Sequence, residues 1–131
     1  MQKEGFVSFW VGNINSSEEL DNLLEISYTE DGDFISSMFA RSFGIDRYDD
    51  AVREADFYDE ADNSLSRLLE GFSYDDDIIP KFSLLCGAQL PSEYNVVILL
   101  YNFKYEGIKK KTAINKSNLE FLGAVEYLLF R

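Results

Sequence analysis

The sequence predicts an α+β fold whose elements follow the order β-α-α-β-α-α-β-β, with a mostly antiparallel or mixed central sheet covered by helices. Three observations lead to this prediction. Of the 131 residues, 46% are hydrophobic and 15% aromatic, which suffices for a substantial core in a single domain spanning residues 1–131. Leucines recur at helical spacing behind capping residues. The continuous apolar run Val96–Tyr101 is typical of a strand buried on both faces.

The first part of the chain predicts one strand and two helices. Phe6–Gly12 is rich in β-branched and aromatic residues, as strands are. Ser16, with a glutamate three residues on, forms a capping box and predicts a helix from about Ser17 to Ser27. Asp33 is expected to cap a second helix, which ends at Gly44.

The middle of the chain predicts a short strand followed by two more helices. Imperfect alternation of apolar and polar residues favours a strand over Ala51–Phe57. Asn63 or Asp62 is expected to cap the next helix. The carboxylates Asp75–Asp77 suit the positive end of a helix dipole and predict a fourth helix, which ends near Gly87.

The end of the chain predicts the two remaining strands. Val96–Tyr101 is expected to be the central strand, and Leu119–Leu129 alternates well enough to be a strand beside it. We therefore expect the first and last strands to flank Val96–Tyr101, with helices covering the sheet.

The negative charge of the chain is concentrated in one part of it. The formal net charge is −12, but Glu18 to Asp77 contains nineteen acidic and four basic residues, a net charge of −15. Such a surface repels phosphate backbones and anionic lipids and attracts basic proteins. We expect no direct nucleic-acid partner and no membrane partner. Simple solubility is the alternative explanation of the acidity.

Residue types that support catalysis are scarce. Histidine is absent, which excludes Ser-His, Cys-His and histidine-ligated metal sites. The single cysteine, Cys86, follows an apolar run and is expected to be a core thiol in a reducing compartment, the cytoplasm. No acidic run matches the twelve-residue calcium loop, and no glycine pattern matches a phosphate loop. We expect no enzymatic activity, catalytic residue, metal or cofactor.

Tyrosines interleaved with carboxylates predict a partner-binding surface. Tyrosine is enriched at the desolvated centres of protein interfaces, and carboxylates accept bidentate hydrogen bonds from arginine. Two acidic clusters flank the predicted strand at residues 51–57, so they could form a single rim. The candidate residues are Asp46, Tyr48, Asp49, Asp50, Asp56, Tyr58, Asp59 and Glu60. Alternatively, the tyrosines only cover the core with their hydroxyls in water.

Six short segments that together span most of the chain carry a family resemblance: Phe9–Asn13, Ser17–Leu20, Tyr28–Phe34, Phe39–Ile45, Leu68–Tyr74 and Tyr94–Tyr101. They resemble the immunity protein 22 family of bacterial polymorphic-toxin systems. The resemblance implies a small cytosolic α+β protein that binds and blocks a toxin domain, delivered by a neighbouring cell or made by its own. It implies no particular toxin-contacting residues.

The leading hypothesis is that an acidic, tyrosine-containing surface neutralises a cognate toxin by covering its basic active-site cleft, with a nuclease as the expected toxin class. An acidic adaptor or nucleic-acid mimic that binds a nucleic-acid enzyme is the alternative. A carboxylate-dependent enzyme would require two buried acids with separated pKa values. On the leading hypothesis, Asp49→Lys combined with Asp59→Lys abolishes protection and leaves the fold intact.

Overall fold

The structure is a computed structural model that describes residues 1–114 and 116–127. Within these residues, the predicted strands and helices occur in the predicted order, with three additional short strands and one 3-10 turn. The elements are β1 (Gln2–Asn13), α1 (Ser17–Leu24), β2 (Ser27–Tyr28), β3 (Phe34–Ile35), α2 (Met38–Ser42), the 3-10 turn Asp50–Val52, β4 (Arg53–Ser64), α3 (Leu65–Leu69), α4 (Asp75–Cys86), β5 (Gln89–Phe103), β6 (Lys111–Ile114) and β7 (Ser117–Glu126).

The main sheet is antiparallel and has β1 at its centre. In the described part of the chain it contains five strands in the order β4-β5-β1-β7-β6. The α+β class and the antiparallel sheet are therefore confirmed. Strands β4 and β6 form the two edges, and this position matters for the candidate site.

Of the two predicted neighbours of the apolar strand, the first strand was right and the last strand was wrong. Val96–Tyr101 lies within β5 and is buried on both faces as expected. However, β5 lies between β4 and β1, whereas the last strand, β7, pairs with β1. Burial on both faces is a property that β1 and β5 share, so it does not reveal which of them is central. The predicted end of the last strand, residues 128 and 129, lies outside the described residues.

Each face of the sheet carries its own core, because side chains alternate between the faces along a strand. On one face, Trp10 packs against Phe39 and Phe43 at ring-centroid distances of 5.0 and 5.8 Å, beneath α1 and α2. On the other face, Phe9 packs against Phe82 of α4 at 4.9 Å, beside the leucines of α3. The helices thus cover both faces, as predicted.

Gly12 allows two strands to approach each other closely. It was predicted to end the first strand, but it lies inside β1, opposite Val96 and Leu119. A Cβ at this position would collide with the backbone carbonyl of Asn118. Glycine is therefore required here by the close approach of β7 rather than by a turn.

The capping box was predicted correctly. The Ser16 hydroxyl accepts a hydrogen bond from the Glu19 amide at 3.2 Å, and the Glu19 carboxylate accepts one from the Asn15 amide at 2.7 Å. The helix ends at Leu24 rather than Ser27, because Ser27–Tyr28 forms a two-residue strand.

The start of the second helix was predicted wrongly. Asp33 lies in a hairpin turn, where its amide donates to the Thr29 hydroxyl at 3.0 Å, and Phe34–Ile35 is a strand. Ser37 is the actual cap, since its hydroxyl accepts from the Ala40 amide at 3.1 Å.

The third helix also begins later than expected, whereas the fourth was predicted correctly. Ser64 caps α3, rather than Asp62 or Asn63. Asp62 instead accepts a hydrogen bond from the Ser64 amide at 2.8 Å and so supports the cap from outside the helix. Helix α4 begins at Asp75 and ends before Gly87.

Candidate protein-binding surface

The candidate residues lie along edge strand β4 and the segment that precedes it. The predicted strand, 51–57, was too short and began too early, because β4 spans Arg53–Ser64. Asp56, Tyr58, Asp59 and Glu60 are consequently strand residues. The others lie in the preceding loop and in the 3-10 turn: Asp46, Tyr48, Asp49 and Asp50. The structure thus places the eight residues along one sheet edge, rather than in two loops around a short strand.

A bulge in β4 directs Asp59 and Glu60 towards solvent. Phe57 pairs with Val96 and Asp62 with Tyr94, so four residues of β4 lie opposite one residue of β5. Asp59 and Glu60 lie within this bulge and are exposed. Bulges and charged side chains both prevent an edge strand from pairing with another chain. A partner therefore meets side chains at this place rather than a regular backbone ladder.

Tyr48 binds its own fold on the face that α1 and α2 cover. Its ring packs edge-on against Phe39, and its hydroxyl accepts a hydrogen bond from Arg53 Nη1 at 3.0 Å. The same Arg53 nitrogen donates to the carbonyl of Leu24 at the end of α1, at 3.3 Å. Arg53 therefore connects the edge strand to the helix end, where a cation is favoured by the helix dipole.

Tyr58 binds the opposite face of the sheet. Its hydroxyl donates to the Leu68 carbonyl of α3 at 2.7 Å. Burial, and secondarily the charge of Asp56, raises the pKa of Tyr58 to about 12. The two candidate tyrosines are thus half-buried on different faces with satisfied hydroxyls, and they offer a partner mainly their ring edges.

The candidate carboxylates divide into structural and unpaired groups. Asp49 caps the 3-10 turn by accepting from the Ala51 amide at 3.0 Å, and Asp56 accepts from the Phe57 amide at 2.9 Å. The remaining four are exposed, and their side chains form no hydrogen bond or ion pair with the part of the chain that the structure describes: Asp46, Asp50, Asp59 and Glu60.

The unpaired carboxylates take no part in the ion pairs of residues 1–114 and 116–127. These pairs are Arg67 with Asp62 at 3.5 Å and Lys81 with Asp77 at 3.0 Å. Arg47 and Arg53 each line a cleft with Asp50, but their guanidinium groups lie over the rings of Phe34 and Tyr48. We call the six carboxylates along this side the acidic edge: Asp46, Asp49, Asp50, Asp56, Asp59 and Glu60.

The acidic edge continues onto α1 across an open cleft of about 350 Å³. Asp50 and Arg53 line one side of the cleft, and Asp21 and Glu25 line the other. The Arg53 guanidinium already binds Tyr48 and Leu24. This cleft therefore extends the negative surface, because the Arg53 guanidinium is already hydrogen-bonded within the fold.

The opposite edge of the sheet is basic. Strand β6 forms this edge. We call the exposed lysines of β6 and of the segments on either side of it the basic edge: Lys109, Lys110, Lys111 and Lys116. Lys110 lies over the rings of Tyr105 and Phe121 at 5.6 and 4.9 Å. Ile108, in the adjoining loop, is 97% exposed.

Sequence analysis missed a cluster of three tyrosines, Tyr74, Tyr101 and Tyr127, which we call the tyrosine cluster. Their ring centroids are 4.9 to 6.2 Å apart. Tyr74 lies in the connection between α3 and α4. The other two lie in or next to strands far away in sequence, so only the strand register brings them together.

A cleft of about 460 Å³ lies at the ends of β1, β5, β6 and β7. Its main side-chain contact is a hydrogen bond from the Tyr94 hydroxyl to Glu120 at 3.2 Å. In the described residues, no three carboxylate or thiol side chains converge as metal ligands would.

Cys86 is half-buried at the end of α4. Its Sγ lies 3.8 Å from the Leu122 carbonyl oxygen, and burial raises the pKa of the thiol. A raised pKa leaves little reactive thiolate near neutral pH. Across residues 1–114 and 116–127, every helix is too short or too polar to span a bilayer.

Comparison with known proteins identifies a family. A family model described as Immunity protein 22 matches residues 7–127 of the chain. No curated protein and no solved structure shows significant similarity to the chain.

Proposed function

We propose that this chain, which belongs to the immunity protein 22 family, neutralises a cognate bacterial toxin by one-to-one binding through its acidic edge. The toxin contributes a basic active-site cleft, and a nuclease is the toxin class with the matching charge. Inhibition then requires no chemistry from this chain, because occupying the cleft excludes the substrate.

The observation that supports this proposal is the unpaired charge at the sheet edge. Asp50, Asp59 and Glu60 are exposed, and their side chains make no hydrogen bond or ion pair within residues 1–114 and 116–127. Complementary charges across an interface speed association and select the partner. Arginines of a nucleic-acid-binding cleft, which normally contact phosphates, match carboxylates in both charge and bidentate geometry.

The site of action follows from the same proposal. A nuclease reaches its substrate in the cytoplasm of a bacterium, so the inhibitor acts there. The single cysteine fits this compartment, since nothing in the fold depends on an oxidised thiol.

Co-expression with a toxin tests the proposal. The probe is the C-terminal toxin domain encoded immediately upstream of this gene, and the readouts are growth of the host cells and binding of the purified proteins by calorimetry. The wild-type chain is expected to restore growth and to bind with a one-to-one stoichiometry. An unrelated basic ribonuclease serves as the specificity control, because a general nucleic-acid mimic would bind it as well.

Charge reversal tests the role of the acidic edge. We choose Asp50→Lys, Asp59→Lys and Glu60→Lys together and leave Asp49 unchanged, because Asp49 caps the 3-10 turn. Truncating a desolvated interface charge costs about 2 kcal/mol or more, so the triple variant is expected to raise Kd by more than about 100-fold and to abolish protection. Its thermal unfolding should match that of the wild type.

Reversal at the other edge is the matched control. Lys109→Glu with Lys111→Glu reverses charges of the other sign at the opposite edge, about 19 Å away, four strand spacings across the sheet. This variant should protect as well as the wild type. A folded triple variant that still protects fully would refute the acidic edge as the interface, and a wild-type chain that neither binds nor protects would refute the proposed function.

A further inference from the structure

The tyrosine cluster presents one exposed ring on top of two buried ones. Tyr101 and Tyr127 are 5% and 6% exposed and meet edge to face at 5.2 Å, whereas Tyr74 is 45% exposed. Tyr74 packs on Tyr127 at 4.9 Å. The buried hydroxyls are satisfied, that of Tyr101 by the Ser73 carbonyl and that of Tyr127 by Asn102. The Tyr74 ring is therefore held in position by two buried rings and remains open to solvent.

The backbone at Tyr74 shows that the side chain is needed there. Two residues in the connection between α3 and α4 have positive φ, Gly71 at 93° and Tyr74 at 62°. Glycine adopts such angles without strain, whereas a tyrosine is strained. Tyr74 occupies the N-cap position of α4 but makes no side-chain cap hydrogen bond. Glycine or asparagine would suit this backbone better, so the ring has a role beyond the local fold.

Carboxylates surround the tyrosine cluster. Burial chiefly raises the pKa of Tyr101, and the charges of Glu54 and Asp75 raise it further. Burial is also the main cause of the raised pKa of Tyr127, and the charge of Glu4 raises it further. All three carboxylates therefore lie close enough to the rings to affect their electrostatics.

These carboxylates are held in place by the fold. Glu54 of β4 accepts hydrogen bonds from the amide and the hydroxyl of Ser73, and Asp75 accepts one from the Gly71 amide at 2.9 Å. Lys81, whose ammonium also binds the Glu126 carbonyl, is paired with Asp77. The surroundings of Tyr74 therefore keep a negative character.

We infer that Tyr74 is the aromatic anchor of the toxin interface, and that an arginine of the toxin stacks on its exposed ring and pairs with the carboxylates around it. This inference rests on the proposed function. A guanidinium stacks on an aromatic face and donates two parallel hydrogen bonds to a carboxylate in its plane, which an ammonium cannot do. Glu54 makes the tyrosine cluster continuous with the acidic edge, because it lies on the same strand as Asp56 and Asp59.

Chemical footprinting of the wild-type complex tests the anchor directly. Tetranitromethane nitrates accessible tyrosines, and the probe partner is the toxin domain encoded upstream. The control is the same reaction in the presence of the unrelated basic ribonuclease, because Tyr28, although 59% exposed, lines a cleft with Tyr48 and Asp50 of the candidate surface. Tyr74 should react in the free protein and in the presence of the ribonuclease. In the complex with the toxin domain Tyr74 should be protected, whereas equal reactivity of Tyr74 in the free and bound states would overturn the inference.

Substitution provides a second test. A binding role for Tyr74 predicts a large loss of affinity with little loss of stability, whereas a structural role predicts the reverse. Tyr74→Asn removes the ring from a backbone that asparagine tolerates. It is expected to shift Tm by no more than about 4 °C and to weaken toxin binding about thirty-fold, the loss that defines a hot-spot residue. Ile108→Asn, a change at a 97% exposed position beside the basic edge, should leave both unchanged. Wild-type affinity in a folded Tyr74→Asn variant would overturn the inference.

A double-mutant cycle identifies the partner residue. Each exposed arginine and lysine of the toxin domain is replaced by alanine, and its effect on binding is compared for wild-type and Tyr74→Asn protein. One arginine should show at least about tenfold coupling to Tyr74. Coupling to a lysine, or to no residue, would overturn the assignment. Failure of the wild type to bind would instead refute the proposed function itself.

Discussion

The two edges of the sheet use charge in opposite ways. Both are protected by charged side chains against pairing with other strands, as exposed edges must be. Strand β4 carries the acidic edge and β6 the basic edge, on opposite sides of the sheet. If the charges served only solubility, there would be no reason for one sign to collect on each side. The separation instead gives the molecule a direction along which it meets a charged partner.

The edges also differ in how firmly they are attached. Strand β4 runs for twelve residues, and Arg53 and Tyr58 connect it to helices on both faces of the sheet. Strand β6 pairs over four residues with β7. A surface that is held in position before binding loses less entropy when it binds. The acidic edge is thus the better prepared of the two for a specific interface.

Removing the Arg53 guanidinium should weaken the attachment of the acidic edge most. Arg53→Ala breaks the hydrogen bonds to Tyr48 and to the Leu24 carbonyl. Hydrogen bonds from a charged, half-buried group contribute about 2 kcal/mol, so we expect a loss of about 2 kcal/mol in the free energy of unfolding by urea. Lys110→Ala, the matched change at the basic edge, removes the contacts of the ammonium with the Tyr105 and Phe121 rings and an exposed hydrogen bond to the Gly107 carbonyl at 3.4 Å, and should cost less than about 1 kcal/mol. Equal losses would show that the two edges are attached alike.

A smaller effect is expected from Tyr58→Phe, which removes the hydrogen bond to the Leu68 carbonyl. The cost should be about 1 kcal/mol at neutral pH. The folded protein releases the Tyr58 proton at a pKa of about 12, above the ordinary value of 10.0. Between pH 10 and 12 the unfolded state therefore binds fewer protons, and the stability of the wild type falls as pH rises.

The phenylalanine variant lacks this proton, so its stability should decline less over that pH range. Because Tyr58 is about half exposed, solvent screening limits the difference to about 1 kcal/mol. Urea unfolding of both proteins at several alkaline pH values measures it. Parallel declines would show that Tyr58 does not titrate differently in the folded state.

The sequence was sufficient where a signal is local. The capping box at Ser16 and the apolar run at Val96–Tyr101 each specify an element through neighbouring residues, and both were predicted correctly. Asp33 and Ser37 are both good caps, so the sequence between them left two helix starts open. The β-forming pair Phe34 and Ile35 decided between them by pairing with β2.

Long-range features could not be predicted from the sequence. The order of strands depends on which partners bury which faces, and β1 and β5 are equally apolar. The acidic residues were recognisable, but the bulge that exposes Asp59 exists only through the pairing of β4 with β5. The tyrosine cluster likewise joins Tyr74 to residues 27 and 53 positions away, because β5 and β7 both adjoin β1.

The salt dependence of the association rate tests the central claim most directly. Stopped-flow mixing of the wild-type chain with the upstream-encoded toxin domain would be repeated from about 0.01 M to about 1 M salt, over which the Debye length falls from about 30 to about 3 Å. We predict that the wild-type rate falls at least about tenfold, that the Asp50→Lys, Asp59→Lys, Glu60→Lys variant loses this dependence, and that the Lys109→Glu, Lys111→Glu variant keeps it. A wild-type rate that does not respond to salt, or the same salt dependence in the acidic-edge variant, would contradict the claim that the toxin is bound at this edge.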